Sequence, residues 1–267
     1  MAAHEVATLP LDVLGGRGNM SDVRTAVLRS ARDFGSSRWL RVELSDNRPL
    51  RFRGGQYIIV DTGLRLEDGR PRRRAYSMLS PDSDSQHFEL GVFKLPGGAG
   101  SGLMNHLREG SELRFTGPWG KLQVPDDLAI RPGPVWIIAT DSGASAAVGL
   151  VRSNALAPHL ARVQLWHFRT HPDAFLSDDF LREQLADLTD LRSAPLASVQ
   201  APLRAMEIER WLQEQLAITG ELPAQVYITG DGLLARQSTA QLIAAGMAEQ
   251  QIQTESFFNH EKKASVS

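Results

Sequence analysis

The chain has 267 residues, with 29 Lys and Arg against 31 Asp and Glu, a net charge of −2 and 42% apolar content. That length suits two domains of ordinary size, and the near-neutral charge gives no general electrostatic case for nucleic acid or an anionic membrane. The absence of cysteine excludes disulfides, thiolate-bound zinc and cysteine-ligated iron–sulfur clusters from these residues. The seven histidines are scattered, so no metal site is expected. Residues 1–20 show no basic-then-apolar leader and read as a flexible segment, and no apolar stretch has the length of a membrane span. A cytoplasmic location is the resulting expectation.

From Ser21 to about Pro125, short extended runs alternate with turn chemistry. Arg24 to Ala31, Ser37 to Leu44, Gln56 to Val60, Arg74 to Met78, Phe88 to Phe93 and Glu112 to Thr116 read as strands. Gly54-Gly55, Pro81-Asp82 and Gly117-Pro118 punctuate them. Six strands and one helix, about Gly102 to Leu107, predict a small antiparallel barrel over residues 21–130.

After Arg131-Pro132-Gly133-Pro134 the texture changes. Val135-Trp136-Ile137-Ile138-Ala139-Thr140 is a continuous apolar run, as expected of a parallel strand buried on both faces. A helix is expected over Ala144 to Ala155, then a strand at Val163 to Phe168 and a helix at Ser177 to Leu188. A strand at Leu196 to Val199, a helix at Ile208 to Gln215, a strand at Gln225 to Thr229 and a helix at Leu233 to Ala245 follow. This alternation predicts a doubly wound parallel sheet over residues 131–258, with a polar tail at 259–267.

In such sheets ligands bind beyond the carboxyl ends of the strands. Those ends carry Thr140-Asp141-Ser142-Gly143, His167-Phe168-Arg169-Thr170 and Thr229-Gly230-Asp231-Gly232. They form a second nucleotide-sized site that should face the barrel.

The chemistry of the first half concentrates in Arg74-Ala75-Tyr76-Ser77 and in Gly97-Gly98-Ala99-Gly100-Ser101. An arginine, a phenol, a hydroxyl and a glycine turn before a helix suit a ligand with a flat ring and a phosphate, such as a flavin nucleotide. Each has a plainer reading alone. The run Arg70-Pro71-Arg72-Arg73-Arg74 reads as a solvated loop, Tyr76 as a packed strand residue, and the glycines as a permissive turn.

The two halves together resemble the ferredoxin–NADP reductase superfamily, over nearly the whole chain from Ser21 to Phe258. Arg74-Ala75-Tyr76-Ser77 matches its Arg-x-Tyr-Ser flavin motif, and Gly98-Ala99-Gly100-Ser101 its phosphate turn. Gly117-Pro118-Trp119-Gly120 is similar to its Gly-Pro-x-Gly, and Glu255-Ser256-Phe257 to its Glu-x-Phe tail. The resemblance implies that Arg74 binds flavin phosphate, Tyr76 lies against the isoalloxazine or ribityl part, and Ser77 hydrogen-bonds near flavin N5. It assigns phosphate contacts to Gly98, Gly100 and Ser101, and makes Ala75, Val92 and Lys94 further cofactor contacts. FAD is the implied flavin, with FMN left open, and NAD(P)H the implied donor.

On the dinucleotide side it assigns Thr140, Gly143, Arg169, Gly230 and Asp231, with Thr229 where a cysteine often stands near the transferring hydride. Asp141 replaces a usual glycine, and Asp231 brings a second negative charge. Asp141 or Ser142 reads as the N-cap of the next helix. Arg169 and Arg204, the latter expected on a loop, are candidates for a 2′-phosphate, and NADH or NADPH stays open. Glu255 is a candidate for proton movement, and Phe257 or Phe258 for covering the flavin.

The expected function is an NAD(P)H-dependent flavoprotein reductase serving a separate ferredoxin, flavodoxin or oxygenase component. Arg70 to Arg74, with Arg51 and Arg53, is the expected dock for an acidic carrier. A flavin-binding electron-transfer subunit with a degenerate dinucleotide site and a free-flavin reductase are the alternatives.

Overall fold

The computed structural model describes residues 23–94, 99–169, 175–197 and 200–258. The leader expected over 1–20, Gly98 of the phosphate turn, Thr170 and the tail over 259–267 lie outside the described residues.

Six strands come first: β1 (Arg24–Phe34), β2 (Ser37–Leu44), β3 (Tyr57–Arg65), β4 (Pro71–Ser77), β5 (His87–Phe93) and β6 (Glu112–Trp119). Helix α1 (Ala99–His106) lies between the last two. The strands pair antiparallel in the order β4-β3-β6-β1-β2-β5. A bridge between Met78 and Leu90 joins the two edges into a barrel. Alternation with period two fills it, with Ala26, Leu28, Leu40, Val42, Ile58 and Val60 turned inward and at most 1% exposed. Phe88 and Phe115 meet edge to face in this core.

Helix α1 packs on β4 and β5, anchored by Met104 in the barrel core. Arg38 of β2 caps its far end, donating to Leu107 O at 2.8 Å and to Met104 O at 3.4 Å. A cation there satisfies orphan carbonyls and complements the helix dipole. The basic run is strand, not loop. Because β4 starts at Pro71, Arg72, Arg74 and Tyr76 share one face, and Arg73, Ala75 and Ser77 the other.

The second half contains β7 (Val135–Thr140), α2 (Ala144–Val151), β8 (Val163–Arg169), α3 (Asp178–Gln184) and β9 (Asp190–Pro195). It continues with α4 (Ala201–Thr219), β10 (Gln225–Asp231), α5 (Gly232–Ala244) and β11 (Ile252–Phe258). All five strands are parallel in the order β11-β10-β7-β8-β9. Strand β7 is buried throughout: Val135 and Ile137 face α2 and α3, whereas Trp136 and Ile138 face α4 and α5.

Three sequence expectations change here. Strand β9 is Asp190–Pro195, ahead of the expected strand at Leu196 to Val199, of which residues 198 and 199 lie outside the described residues. It is an edge strand, so it tolerates polar residues and a terminal proline, while Leu196 is buried beside it and donates to Arg169 O at 2.7 Å. Helices α2 and α3 stop at Val151 and Gln184, short of Ala155 and Leu188. Strand β11 was not anticipated; an edge strand with polar Gln253, Thr254, Glu255 and Ser256 at its centre, it carries no continuous apolar run.

The barrel packs against the α2–α3 face of the sheet. Leu79 and Leu122 of the barrel side are buried in that core, with Phe34, Trp39 and Phe93 against it. Phe34 meets Phe180 edge to face at 4.7 Å. Arg152, just beyond α2, donates to Leu79 O at 3.0 Å and to Glu89 Oε2 at 2.8 Å. Gly149 of α2 comes so close that an added Cβ would stand 2.1 Å from Met78 O. No helix among the described residues is long and apolar enough to cross a membrane.

Candidate functional site

Strand β4 ends in the crevice between barrel and sheet. Ser77 is 4% exposed, and its Oγ has no hydrogen-bond partner. A buried hydroxyl left without a partner is costly. Arg74 is half-buried and donates only to Arg73 O, at 3.1 Å; no carboxylate among the described residues pairs with it. Burial, and then the positive charge of Arg72, lowers its pKa. Tyr76 packs on the barrel core beside Leu103, and burial pushes its pKa up to about 12, so it is a neutral phenol. Ala75 lies half-buried between them. Gly100 and Ser101 fall in the first turn of α1. A guanidinium without a counter-ion and a hydroxyl without a partner fit a flavin nucleotide.

Two other proposed contacts are placed differently. The Val92 side chain is 1% exposed inside the barrel core, so only its backbone remains for a ligand. Lys94 is held 3.0 Å from Asp33 and donates its amide to Ser36 O, which directs its charge to the β1–β2 turn.

The carboxyl edge of the sheet is tightly knit. Thr140 Oγ1 accepts from the Asp231 amide at 2.8 Å, and Thr229 Oγ1 donates to Gly143 O at 3.0 Å. An added Cβ would lie 2.3 Å from Thr229 O at Gly143 and 2.2 Å from Thr140 Oγ1 at Gly230. Packing alone therefore demands glycine at both positions. Asp141 is not the expected N-cap, nor is Ser142: α2 is capped at Gly143 without a side-chain bond, and Asp141–Gly143 forms a 3-10 turn. Asp141 has φ of 44°, in the left-handed region.

The charge balance at this edge also departs from expectation. Asp231 is not an uncompensated negative charge: Arg204 lies 2.5 Å from it, both side chains are 2% exposed, and Asp231 caps α5 at Leu233. Arg204 is on α4, not a loop, and is turned inward, which removes it as a phosphate ligand. Arg169 stays at the strand edge, 19% exposed and 3.5 Å from Asp178.

Strand β11 delivers Glu255 opposite Thr229. Burial pushes the Glu255 carboxyl up to about 7, against the opposing pull of the Lys121 amide and ammonium. Its charge also acts on Tyr57, whose pKa burial chiefly raises, to about 12. Tyr57 pairs with both Ser77 and Trp119, so the carboxyl stands by the barrel rung that carries Ser77. Phe257 is half-buried on the α2–α3 core, and the Phe258 side chain lies outside the described residues.

Several residues of this region escaped the sequence reading. Lys121 follows the Gly-Pro-x-Gly motif directly, a signal that was available. His167 is 1% exposed, and burial, then Arg169, lowers its pKa to about 4. The sequence places His167 at the strand end but gives no sign that it is buried, and the Asp178 pairing with Arg169 has no local signature either. A groove of about 600 Å³ lies beside Lys121, lined also by Arg51, Arg53, Gln56 and Gln123. Arg70 does not join it in one basic patch, being paired with Asp68 at 2.6 Å.

Residues 30–124 match the family described as oxidoreductase FAD-binding domain. The chain is similar to a ferredoxin–NADP reductase of Azotobacter vinelandii, 31% identical over 141 residues, covering 52% of each protein. It is also similar to the reductase subunit of an aromatic O-demethylase from Amycolatopsis sp., 33% identical over 130 residues, 48% of this chain and 37% of that one. The matched stretches thus span about half or less of these relatives' length. The cytochrome P450 reductase GcoB of Amycolatopsis shares the fold, with a TM-score of 0.67 at 22% identity over 88% of this chain and 70% of that one.

Proposed function

We propose that the chain belongs to the ferredoxin–NADP reductase superfamily and is an NAD(P)H-dependent flavoprotein reductase that passes electrons through FAD to a separate acceptor. The observation that carries this reading is the Ser77 hydroxyl, buried and without a partner where the barrel meets the α/β sheet. FAD held there would supply the hydride-accepting and electron-transfer chemistry. The chain's own part is to position and to set charge. Arg74 would hold phosphate, Tyr76 would offer an aromatic platform, and Ser77 would donate to the polar edge of the ring. Glu255, with a pKa about 7, holds or yields a proton in the crevice near neutrality. Thr229 shapes the site, since its hydroxyl is engaged by Gly143 O.

The end of β8 favours NADH as the donor. Arg169 Nε and Asp178 Oδ1 are buried atoms without partners, on residues that already pair with each other. A donor beside an acceptor suits a ribose hydroxyl, which both accepts and donates. A 2′-phosphate would meet the Asp178 carboxylate instead.

The aromatic O-demethylase and propane 2-monooxygenase reductases among the relatives support an oxygenase component or small redox protein as acceptor. An acidic partner would dock at the groove of Arg51, Arg53 and Lys121. The electron-transfer subunit without a dinucleotide is disfavoured, because Arg204 already offsets one of the two acidic residues that suggested it.

Anaerobic titration of the purified yellow protein with NADH and NADPH tests the reading. Bleaching of the flavin by either, with NADH effective at lower concentration, is expected. A flavoprotein that neither donor bleaches at millimolar concentration refutes the reductase, and flavin lost on gel filtration would favour free flavin as substrate.

A further inference from the structure

One charge, that of Arg72, is not used by the site as described so far. Arg72 and Arg74 lie two residues apart on the same face of β4, with Tyr76 next in line. Successive same-face residues of a strand are roughly 6–7 Å apart. The Arg72 charge is close enough to depress the Arg74 pKa, second only to burial. Arg72 is half-buried, and its Nε is fully buried without a hydrogen-bond partner. No carboxylate among the described residues pairs with either guanidinium, whereas Arg70 on the same hairpin is paired with Asp68.

Two like charges held together in a half-buried place repel unless an anion lies between them. Thr62 fixes the position by donating from Oγ1 to Arg72 O at 2.6 Å. The arrangement calls for a ligand with two adjacent negative groups.

We infer that Arg72 and Arg74 form a two-guanidinium clamp for the diphosphate of a flavin dinucleotide, so that the site discriminates FAD from a flavin carrying a single phosphate. The inference rests on the flavoprotein reading and goes beyond it. Arg74 alone would serve one phosphate; Arg72 extends the grip to the second. Arg73 points to the opposite face and takes no part.

The test measures the affinity of the flavin-depleted full chain for FAD, FMN and riboflavin, by quenching of flavin fluorescence. Three proteins are compared: wild type, Arg72→Gln and Arg70→Gln. The last removes the same charge from the same hairpin. Arg72→Gln should weaken FAD by roughly tenfold or more, weaken FMN much less and leave riboflavin unchanged. Arg70→Gln should resemble wild type for all three. Arg72→Gln matching wild type for FAD overturns the clamp while leaving the flavoprotein reading intact. A loss shared equally by FAD and FMN overturns it too, as does one shared with riboflavin. Wild-type protein that takes up no flavin overturns the flavoprotein reading, and the clamp with it.

Discussion

The Arg204 guanidinium lies 2.5 Å from the Asp231 carboxylate, and both side chains are only 2% exposed. The pair joins α4 to the carboxyl end of β10, beside the hydroxyls of Thr140 and Thr229. Asp231 also accepts from the Leu233 amide at 2.9 Å, so one carboxylate caps α5 and balances a buried cation. Arg204→Met leaves that carboxylate buried without its counter-ion and is expected to cost about 3–5 kcal/mol. Adding Asp231→Asn removes the stranded charge and keeps an acceptor at the cap, so the double variant should regain much of the loss. Urea unfolding of the three proteins checks this; a double variant weaker than Arg204→Met would contradict it.

Asp141 occupies the left-handed region at φ of 44°. A side chain there crowds its own backbone, at roughly 1–2 kcal/mol, although Asp is among the residues that tolerate it best. Asp141→Gly is therefore expected to stabilise the fold by about 0.5–1 kcal/mol despite the looser unfolded chain. Asp141→Val should destabilise it, because a β-branched side chain suits that region worst. The glycine variant also removes a carboxylate from the dinucleotide edge, so its apparent affinity for NADH should rise. Thermal unfolding and the NADH titration read the two effects separately. Unchanged affinity would locate the carboxylate away from the dinucleotide.

Gly149 lets the two halves of the molecule approach backbone to backbone. Its ideal Cβ would lie 2.1 Å from Met78 O, one residue beyond Ser77. Backbone is on both sides, so neither can yield by a side-chain rotation. Gly149→Ala should cost at least about 1–3 kcal/mol as an overpacking substitution. It should also weaken flavin retention more than a surface change of equal cost, because the strain falls on the end of β4. Val148→Ala, a deletion in the same helix within the core, is the comparison. If both variants retain flavin equally at matched stability, the close approach has no bearing on the site.

Much of the architecture was legible because burial leaves a pattern. The alternation in β1 to β3 and the unbroken apolar run of β7 each follow from which faces are covered. Strands β9 and β11 were misread or missed for the converse reason, since both are edges of the sheet and need no apolar run. The Arg74-x-Tyr76-Ser77 cluster was legible as local chemistry. What the sequence concealed were pairings between distant elements. Arg204 with Asp231, Arg169 with Asp178, and Glu255 with Lys121 and Tyr57 decide which charges remain at the site. None has a spacing that a linear reading detects, because each depends on how strands and helices lie side by side.

Glu255 makes stability depend on pH in a definite direction. Burial raises its pKa from 4.5 to about 7, so the folded chain holds the proton more tightly than the unfolded one. Below pH 4.5 both forms are protonated and the group contributes nothing. Between 4.5 and about 7 the unfolded carboxyl ionises first, and folding stability falls as pH rises. Above about 7 the penalty is complete, on the order of 3 kcal/mol. Glu255→Gln keeps the shape and carries no charge, so the variant should match wild type at low pH, gain on it between pH 4.5 and about 7, and keep a constant advantage above. Urea unfolding of both flavin-free proteins across this range measures the difference. Parallel stability curves would show that Glu255 is solvated in the folded chain, and would remove it as the proton-holding group of the crevice. A divergence already complete well below pH 7 would place its folded pKa short of that value, with the same consequence.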